Sequence, residues 1–187
     1  MGNLYIGLLH FPMCNRRGEI VATAMTSIDV HDIARTARTY GVMRYFVITP
    51  LASQQRIAWR IRGFWTEREQ AMEGSRRGEA LELVMVASDL EESVSWIEEA
   101  EGACPILIAT SARPQRGQGL SYAQVQDVLR REERPAYIVF GTGWGMADEL
   151  VGACDYVLPP IEGQADFNHL SVREAAAIVL DRVAGHR

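Results

Sequence analysis

Ala136-Tyr-Ile-Val-Phe140 runs into Gly141-Thr-Gly-Trp-Gly145, and after Asp155-Tyr-Val-Leu-Pro-Pro-Ile-Glu-Gly163 comes Asn168-His-Leu-Ser-Val-Arg-Glu-Ala-Ala-Ala-Ile-Val-Leu180. The first of these segments is a continuous apolar run of buried-strand length, the kind found in a parallel sheet covered on both faces. Glycines at alternate positions directly after it remove side chains where a ligand can meet bare backbone N–H and C=O groups. The second segment reads as a short strand stopped by Pro159 and Pro160, with a loop that supplies a second wall. Ser171 and Glu174 have the spacing of a capping box, and Val172, Ala176, Val179 and Val183 recur at helical spacing up to Gly185. The stretch from Ala136 to Arg187 therefore reads strand, glycine loop, short helix, strand, loop, helix.

Upstream, the same alternation repeats. Leu4 to Leu9 is a buried-strand run ended by Pro12 and Asn15-Arg-Arg-Gly18. The apolar and small stretch Ile20 to Met25 leads to Asp29 as a helix N-cap, and Val30, Ile33, Ala34, Ala37 and Tyr40 form one helical face before Gly41. Val42 to Thr49 is a strand stopped by Pro50. From Leu51 to Arg77 the pattern is helical, with Trp59, Phe64 and Trp65 interleaved among arginines. That composition serves either to stack bases and hold phosphates or to pack a helix on the sheet with its charges in water. Leu81 to Ala87 reads as a strand. Ser88 and Glu91 read as a capping box for a helix with Leu90, Val94, Ile97 and Ala100 inward and a solvated acidic face outward. Pro105 to Ala109 is another buried strand, followed by the polar turn Thr110-Ser-Ala-Arg-Pro114 and a flexible Gln115-Arg-Gly-Gln-Gly119. Ser121 and Gln124 open a helix to about Glu133.

Strands alternating with amphipathic helices give an α/β domain with a mostly parallel sheet, and ligands of such sheets sit beyond the carboxyl ends of the strands. The loops after Ala109, Phe140 and Leu158 all follow strand ends, so they are expected to converge on one pocket. At 187 residues with no linker-like stretch, residues 1–187 form one domain. No run approaches membrane-spanning length and the N-terminus lacks a signal-peptide pattern, so cytoplasmic residence and no membrane partner are expected. Cys14, Cys104 and Cys154 are scattered and form no Cys-x-x-Cys pair, which points to neither a disulfide framework nor a metal site. The net charge of -5 argues against a broadly basic nucleic-acid wrapper but leaves room for a local patch. All 19 basic residues are arginine, the side chain suited to bidentate phosphate contact, a bias that a GC-rich genome also produces.

Taken alone, the glycine loop also fits a dinucleotide site with Glu162 on the ribose, although the tail that follows is short for a Rossmann half. The C-terminal run adds specificity. It resembles the SpoU branch of the SPOUT superfamily of RNA methyltransferases, whose members carry Asn-x-Leu-Asn/Ser-Val-Ser-x-Ala-x-x-Ile-x-Leu. Asn168, Leu170, Ser171, Val172, Ala175, Ala176, Ile178 and Leu180 fall on it in register. The SpoU glycine loop usually reads Gly-Ser/Thr-Glu-Gly-x-Gly, whereas Gly141-Thr-Gly-Trp-Gly145 lacks the glutamate and is one residue shorter. Nearly the whole chain is also similar to a smaller bacterial group within SPOUT, through His31-Asp-Ile-Ala-Arg-Thr-Ala-Arg-Thr-Tyr-Gly41 and Ala109-Thr-Ser-Ala-Arg113.

The resemblance implies a parallel-sheet SPOUT domain with a C-terminal trefoil knot, S-adenosyl-L-methionine as cofactor, tRNA or rRNA as substrate, and a homodimer with composite active sites. It places the cofactor against Thr110, Gly141, Gly143, Gly145, Leu158, Ile161 and Leu170. Because the methyl is already activated on a sulfonium, alignment is the enzyme's main task and no metal is needed. Arg35 stands six residues before Gly41, where SpoU enzymes keep an arginine, and would clamp the substrate phosphate, with Arg38 one turn along. Asn168 either orients a substrate hydroxyl or caps the loop, Ser171 is either catalytic or a helix cap, and His31 and His169 are general-base candidates. A catalytically silent cofactor- or RNA-binding module is the alternative. Base and ribose methylation stay equally open.

Overall fold

The computed structural model describes residues 2–69, 76–113, 119–131, 133–164 and 167–185. Its elements in chain order are β1 (Leu4–Leu9), β2 (Met13–Cys14), β3 (Ile20–Val21), α1 (Ser27–Thr39), β4 (Arg44–Ile48), α2 (Ala52–Glu69), α3 (Arg77–Leu81), β5 (Val84–Ala87), α4 (Leu90–Glu101), β6 (Ile106–Ala109), α5 (Tyr122–Arg131), β7 (Ala136–Gly141), α6 (Asp148–Gly152), β8 (Tyr156–Val157) and α7 (Val172–Ala184). One six-stranded sheet runs in the order β5-β4-β1-β7-β6-β8, and every pairing in it is parallel. β2 and β3 form a separate antiparallel hairpin.

β1 and β7 lie at the centre, which is why the runs Leu4–Leu9 and Ala136–Phe140 are apolar without alternation. Leu4, Ile6 and Leu8 face one core with α1, α2, α3, α5 and α7, while Tyr5 and Leu9 face a second core with α4 and α6. The crossovers β1–α1–β4, β4–α2–α3–β5 and β6–α5–β7 all step one way across the sheet with their helices on the Leu8 face. The crossovers β5–α4–β6 and β7–α6–β8 step the other way with their helices on the Leu9 face, so all five share one hand. Because the strands are parallel, every strand's carboxyl end lies on one edge.

Three element starts differ from the sequence reading, each because a neighbouring group makes the better cap or core contact. Thr26, not Asp29, caps α1: its hydroxyl accepts from Asp29 N, and Asp29 is drawn into the helix as an ion-pair partner. Asp89, not Ser88, caps α4, with Glu92 Oε2 receiving Ser88 N at 2.6 Å. Leu81 closes α3 with its side chain buried in the core, and β5 starts only at Val84. Ala100 is exposed and not inward. The α7 capping box is present with both reciprocal bonds. Gln115 to Gln118 lie outside the described residues.

Candidate cofactor and substrate site

The three loops do meet. Leu158 N donates to Ala109 O at 2.9 Å, Asn168 Nδ2 to Ala112 O at 3.0 Å, and Arg113 Nη2 to Trp144 O at 3.3 Å. Tyr122 OH donates to Pro159 O at 3.2 Å. The loops after β6, β7 and β8 and the segment before α7 are thus tied together at the carboxyl edge, as expected where strand ends converge. Thr110 sits at the β6 end with both its N–H and its hydroxyl committed to Val139 O, at 3.1 and 2.9 Å. Leu158 is buried and Ile161 half-buried, whereas Leu170 is 44% and Phe167 74% exposed. The rim of the loop cluster is therefore apolar.

The glycine loop is clasped from the other side by β2. Cys14 N donates to Gly145 O at 2.8 Å, Trp144 N to Cys14 O at 3.3 Å and Ala147 N to Pro12 O at 3.1 Å. A Cβ on Gly141 would lie 2.6 Å from Met146 Cγ, 3.1 Å from Met146 N and 3.4 Å from Met13 Sδ. Gly143 and Gly145 have φ of +61° and +104°, a region that side-chain-bearing residues avoid. Read from sequence as space for a ligand, the absence of a side chain at Gly141 is demanded by the chain's own packing.

α7 is bolted to α1. Arg173 Nη1 lies 2.6 Å from Asp29 Oδ1 and its Nε 3.6 Å from Asp32 Oδ2, joining the heads of two helices distant in sequence. Ser171 uses its hydroxyl to accept from Glu174 N, so it serves as the helix cap, and Asn168 spends its amide on the Ala112 carbonyl. Arg35 lies six positions beyond Asp29, about 9 Å by helical rise, exposed and outside the loop cluster. It lines a cavity of about 460 Å³ with Trp65, Arg76 and Arg77. His31 belongs with that cavity, its ring edge-on to Trp65 at 5.7 Å, while His169 sits beside Phe167 at 5.3 Å in the loop segment. Burial, reinforced by the Arg77 charge, lowers the His31 pKa.

One residue at this edge carried no sequence signal. His10, the polar residue that ends the apolar run of β1, is fully buried, with Nδ1 3.0 Å from Thr23 Oγ1 and Nε2 without a partner among the described residues. The Thr23 and Thr142 hydroxyls are hydrogen-bonded, and Thr142 donates to Leu9 O at 3.0 Å, so His10 ties β1 to the glycine loop. Burial pushes the His10 pKa down to about 4, against the pull of nearby Asp29. A folded-state value below the unfolded one means the unfolded chain binds more protons, so stability is complete above the ordinary histidine pKa near 6.5 and is lost as pH falls toward 4. The loss is on the order of 3 kcal/mol. Urea midpoints between pH 7 and 4.5 should fall more steeply for the wild type than for His10→Gln. Parallel profiles would refute the assignment.

Among the described residues no helix is long and apolar enough to cross a membrane, and no group of three His, Cys, Asp or Glu side chains is placed to hold a metal ion. A family model described as SAM-dependent RNA methyltransferase matches residues 3–185. A protein of Aquifex aeolicus is 38% identical over 181 residues, 97% of this chain and 88% of its own length. A tRNA (guanine-N(1)-)-methyltransferase of Oleidesulfovibrio alaskensis is 40% identical over 183 residues, 98% of this chain, and this chain spans only 42% of that protein. Among solved structures, the SpoU methyltransferase AviRb from Streptomyces viridochromogenes, in complex with the cofactor AdoMet, aligns with a TM-score of 0.55 at 18% identity, covering 97% of this chain and 57% of its own. That likeness is one of fold. The family match separates the two readings that the glycine loop alone left open, a dinucleotide site and an S-adenosylmethionine site. Since it takes in the whole parallel sheet, the glycine loop and the Asn168 to Leu180 run, this chain belongs to the family of SAM-dependent RNA methyltransferases and has the SPOUT fold.

Proposed function

We propose that residues 1–187 form one domain that methylates tRNA or rRNA as a cytoplasmic homodimer, with the cofactor in the loop cluster and the substrate at α1. The observation that carries this division of labour is the Asp29–Arg173 bolt, which sets α1 directly against the head of α7, where the loop cluster ends. The loop cluster fits S-adenosylmethionine: apolar Leu158, Ile161 and Leu170 flank backbone from three strand ends, a combination suited to an adenosine. Bound there, the cofactor supplies a methyl already activated on sulfur. Thr110, Gly141, Gly143 and Gly145 shape the walls. Asn168 and Ser171 hold the segment before α7 in place, and Arg35 clamps the substrate phosphate.

The knot belongs to the same proposal. Val157 pairs with Ala109 on one side and bridges to Gly119 on the other, where Leu120 N donates to Val157 O at 3.2 Å. Contacts of Val157 with both ends of residues 110–120 support a threaded C-terminus. Dimerisation is supported by Trp144, Phe167 and Leu170, apolar side chains left 57%, 74% and 44% exposed around the loops.

Calorimetry with S-adenosylmethionine tests the cofactor site, and mass spectrometry of RNA from a deletion strain tests the reaction. Binding together with one missing methylated nucleotide is expected. Binding with an unchanged RNA would favour the silent module, a reading consistent with the committed side chains of Ser171 and Asn168. Light scattering at micromolar concentration checks the dimer.

A further inference from the structure

The sheet separates charge as well as helices. α4 and α6, on the Leu9 face, carry Glu91, Glu92, Glu98, Glu99, Asp148 and Glu149 and no arginine. α1, α2 and α3, on the Leu8 face, carry Arg35, Arg38, Arg56, Arg60, Arg62, Arg68 and Arg77 against Asp29, Asp32, Glu67, Glu69 and Glu79, an excess of arginine. A chain of net charge -5 thus presents a basic surface on one side of its sheet.

Within that surface lies the 460 Å³ cavity, and among the described residues its lining is Arg35, Trp65, Arg76 and Arg77, with no acid. Among the described residues the Arg35 side chain has no hydrogen bond or ion pair. Arg76 has only Glu79, at 3.9 Å, which Arg38 shares at 3.7 Å. The Arg77 guanidinium lies over the Trp65 ring, 4.6 Å from its centroid, a contact that leaves a guanidinium able to donate to an anion. Three guanidinium groups around one hollow repel each other until an anion enters, and the Arg77 charge already disfavours protonation of His31. Arginines also line a neighbouring hollow of about 350 Å³, where Arg38, Arg44 and Arg62 stand with Glu79 and Glu82. Trp59, with the Arg62 guanidinium 5.3 Å from its ring centroid, and Phe64, edge-on to Trp65, are 41% and 51% exposed on α2, aromatics of the kind that stack on bases beside arginines.

We infer that the α1–α2–α3 cavity is a phosphodiester-binding site for the RNA strand, in which Arg76 and Arg77 hold phosphate next to the one at Arg35 and Trp65 acts as the positioning residue for Arg77. The inference rests on the RNA methyltransferase reading and adds a second substrate contact, remote from the glycine loops. A polyanionic strand is favoured over a free phosphate because arginines stand in both hollows and can meet successive phosphates.

The test uses the full chain and bulk unmodified tRNA, with oligouridylate and inorganic phosphate as comparison probes. The double variant Arg76→Ala/Arg77→Ala should bind tRNA at least about tenfold more weakly, and the slope of log affinity against log salt should fall by about 1.4 to 1.8, two lost contacts. Affinity for S-adenosylmethionine and the thermal midpoint should not move, which excludes misfolding. Arg76→Lys/Arg77→Lys should retain most of the slope, since charge is kept. Oligouridylate should compete with tRNA, and millimolar inorganic phosphate should compete only weakly. Wild-type affinity and slope in the double alanine variant would overturn the site, and full competition by millimolar phosphate would overturn the assignment to a strand. Failure of the wild type to bind S-adenosylmethionine would instead undo the methyltransferase reading, whatever the arginine variants do.

Discussion

Arg35→Ala is expected to lower methyl transfer by roughly a hundredfold or more while S-adenosylmethionine binds with wild-type affinity. The side chain is exposed on α1, so its removal takes no hydrogen bond or ion pair among the described residues from the fold. Alanine is also a strong helix former, and the substitution should cost under about 0.5 kcal/mol of stability. A charge-assisted contact to a substrate phosphate is different: losing it costs about 2 to 4 kcal/mol in the transition state. Single-turnover assays at saturating cofactor and RNA isolate that loss from binding. Arg35→Lys, which keeps charge but not the planar fork, should recover part of the rate. Mixing Arg35→Ala subunits with Gly141→Val subunits should restore partial activity if each site is built from two chains. Normal turnover by Arg35→Ala would end the catalytic assignment, while failure of the mixture alone would remove only the cross-subunit part.

Gly141→Val is expected to damage both the cofactor site and the fold. The added Cβ would sit 2.6 Å from Met146 Cγ, which can swing aside, and 3.1 Å from Met146 N, which cannot without moving the loop. Overpacking of this kind costs typically about 1 to 3 kcal/mol. The displacement cannot stay local, because Thr142 N donates to Met13 Sδ at 3.3 Å and Thr142 Oγ1 donates to Leu9 O at 3.0 Å, coupling Gly141 to the hairpin and to β1. S-adenosylmethionine affinity should fall at least about tenfold, since misplacing binding groups by a fraction of an ångström already forfeits hydrogen bonds. Calorimetry and urea unfolding on the same preparation measure the two effects. Wild-type affinity in a protein that unfolds at a lower urea midpoint would show that the cofactor does not depend on this loop.

Residues whose roles follow from their immediate neighbours are legible in the sequence alone. The apolar runs of β1 and β7 mark central strands because a strand covered on both faces has no polar side to alternate with. Ser171 and Glu174 mark the start of α7 because a capping box closes within one helical turn. Boundaries fail where two nearby polar residues compete for one cap, as Thr26 with Asp29 and Asp89 with Ser88. The order of charged residues along α1 to α3 is equally visible, yet its meaning stays open in sequence, since arginines and aromatics in one helix fit both packing and RNA contact.

Pairings between residues far apart in the chain emerge only on folding. Asp29 looks like a local cap in sequence and is instead the buried partner of Arg173, 144 residues away. Gly141 reads in sequence as a loop glycine, and only the fold shows that a Cβ there would meet Met146 and Met13. His10 is one histidine at the end of a strand until folding buries it against Thr23 and lowers its pKa. Arg35 gained Trp65, Arg76 and Arg77 as neighbours because α1, α2 and α3 pack on the same face of the sheet. Most elements could be read locally, since periodicity, caps and turn residues act over a few positions, and the Asn168 to Leu180 run carried the resemblance to the family. Which side chains share a site was left to the packing of helix faces on the sheet, because periodicity shows which face of an element is buried but not which partner buries it.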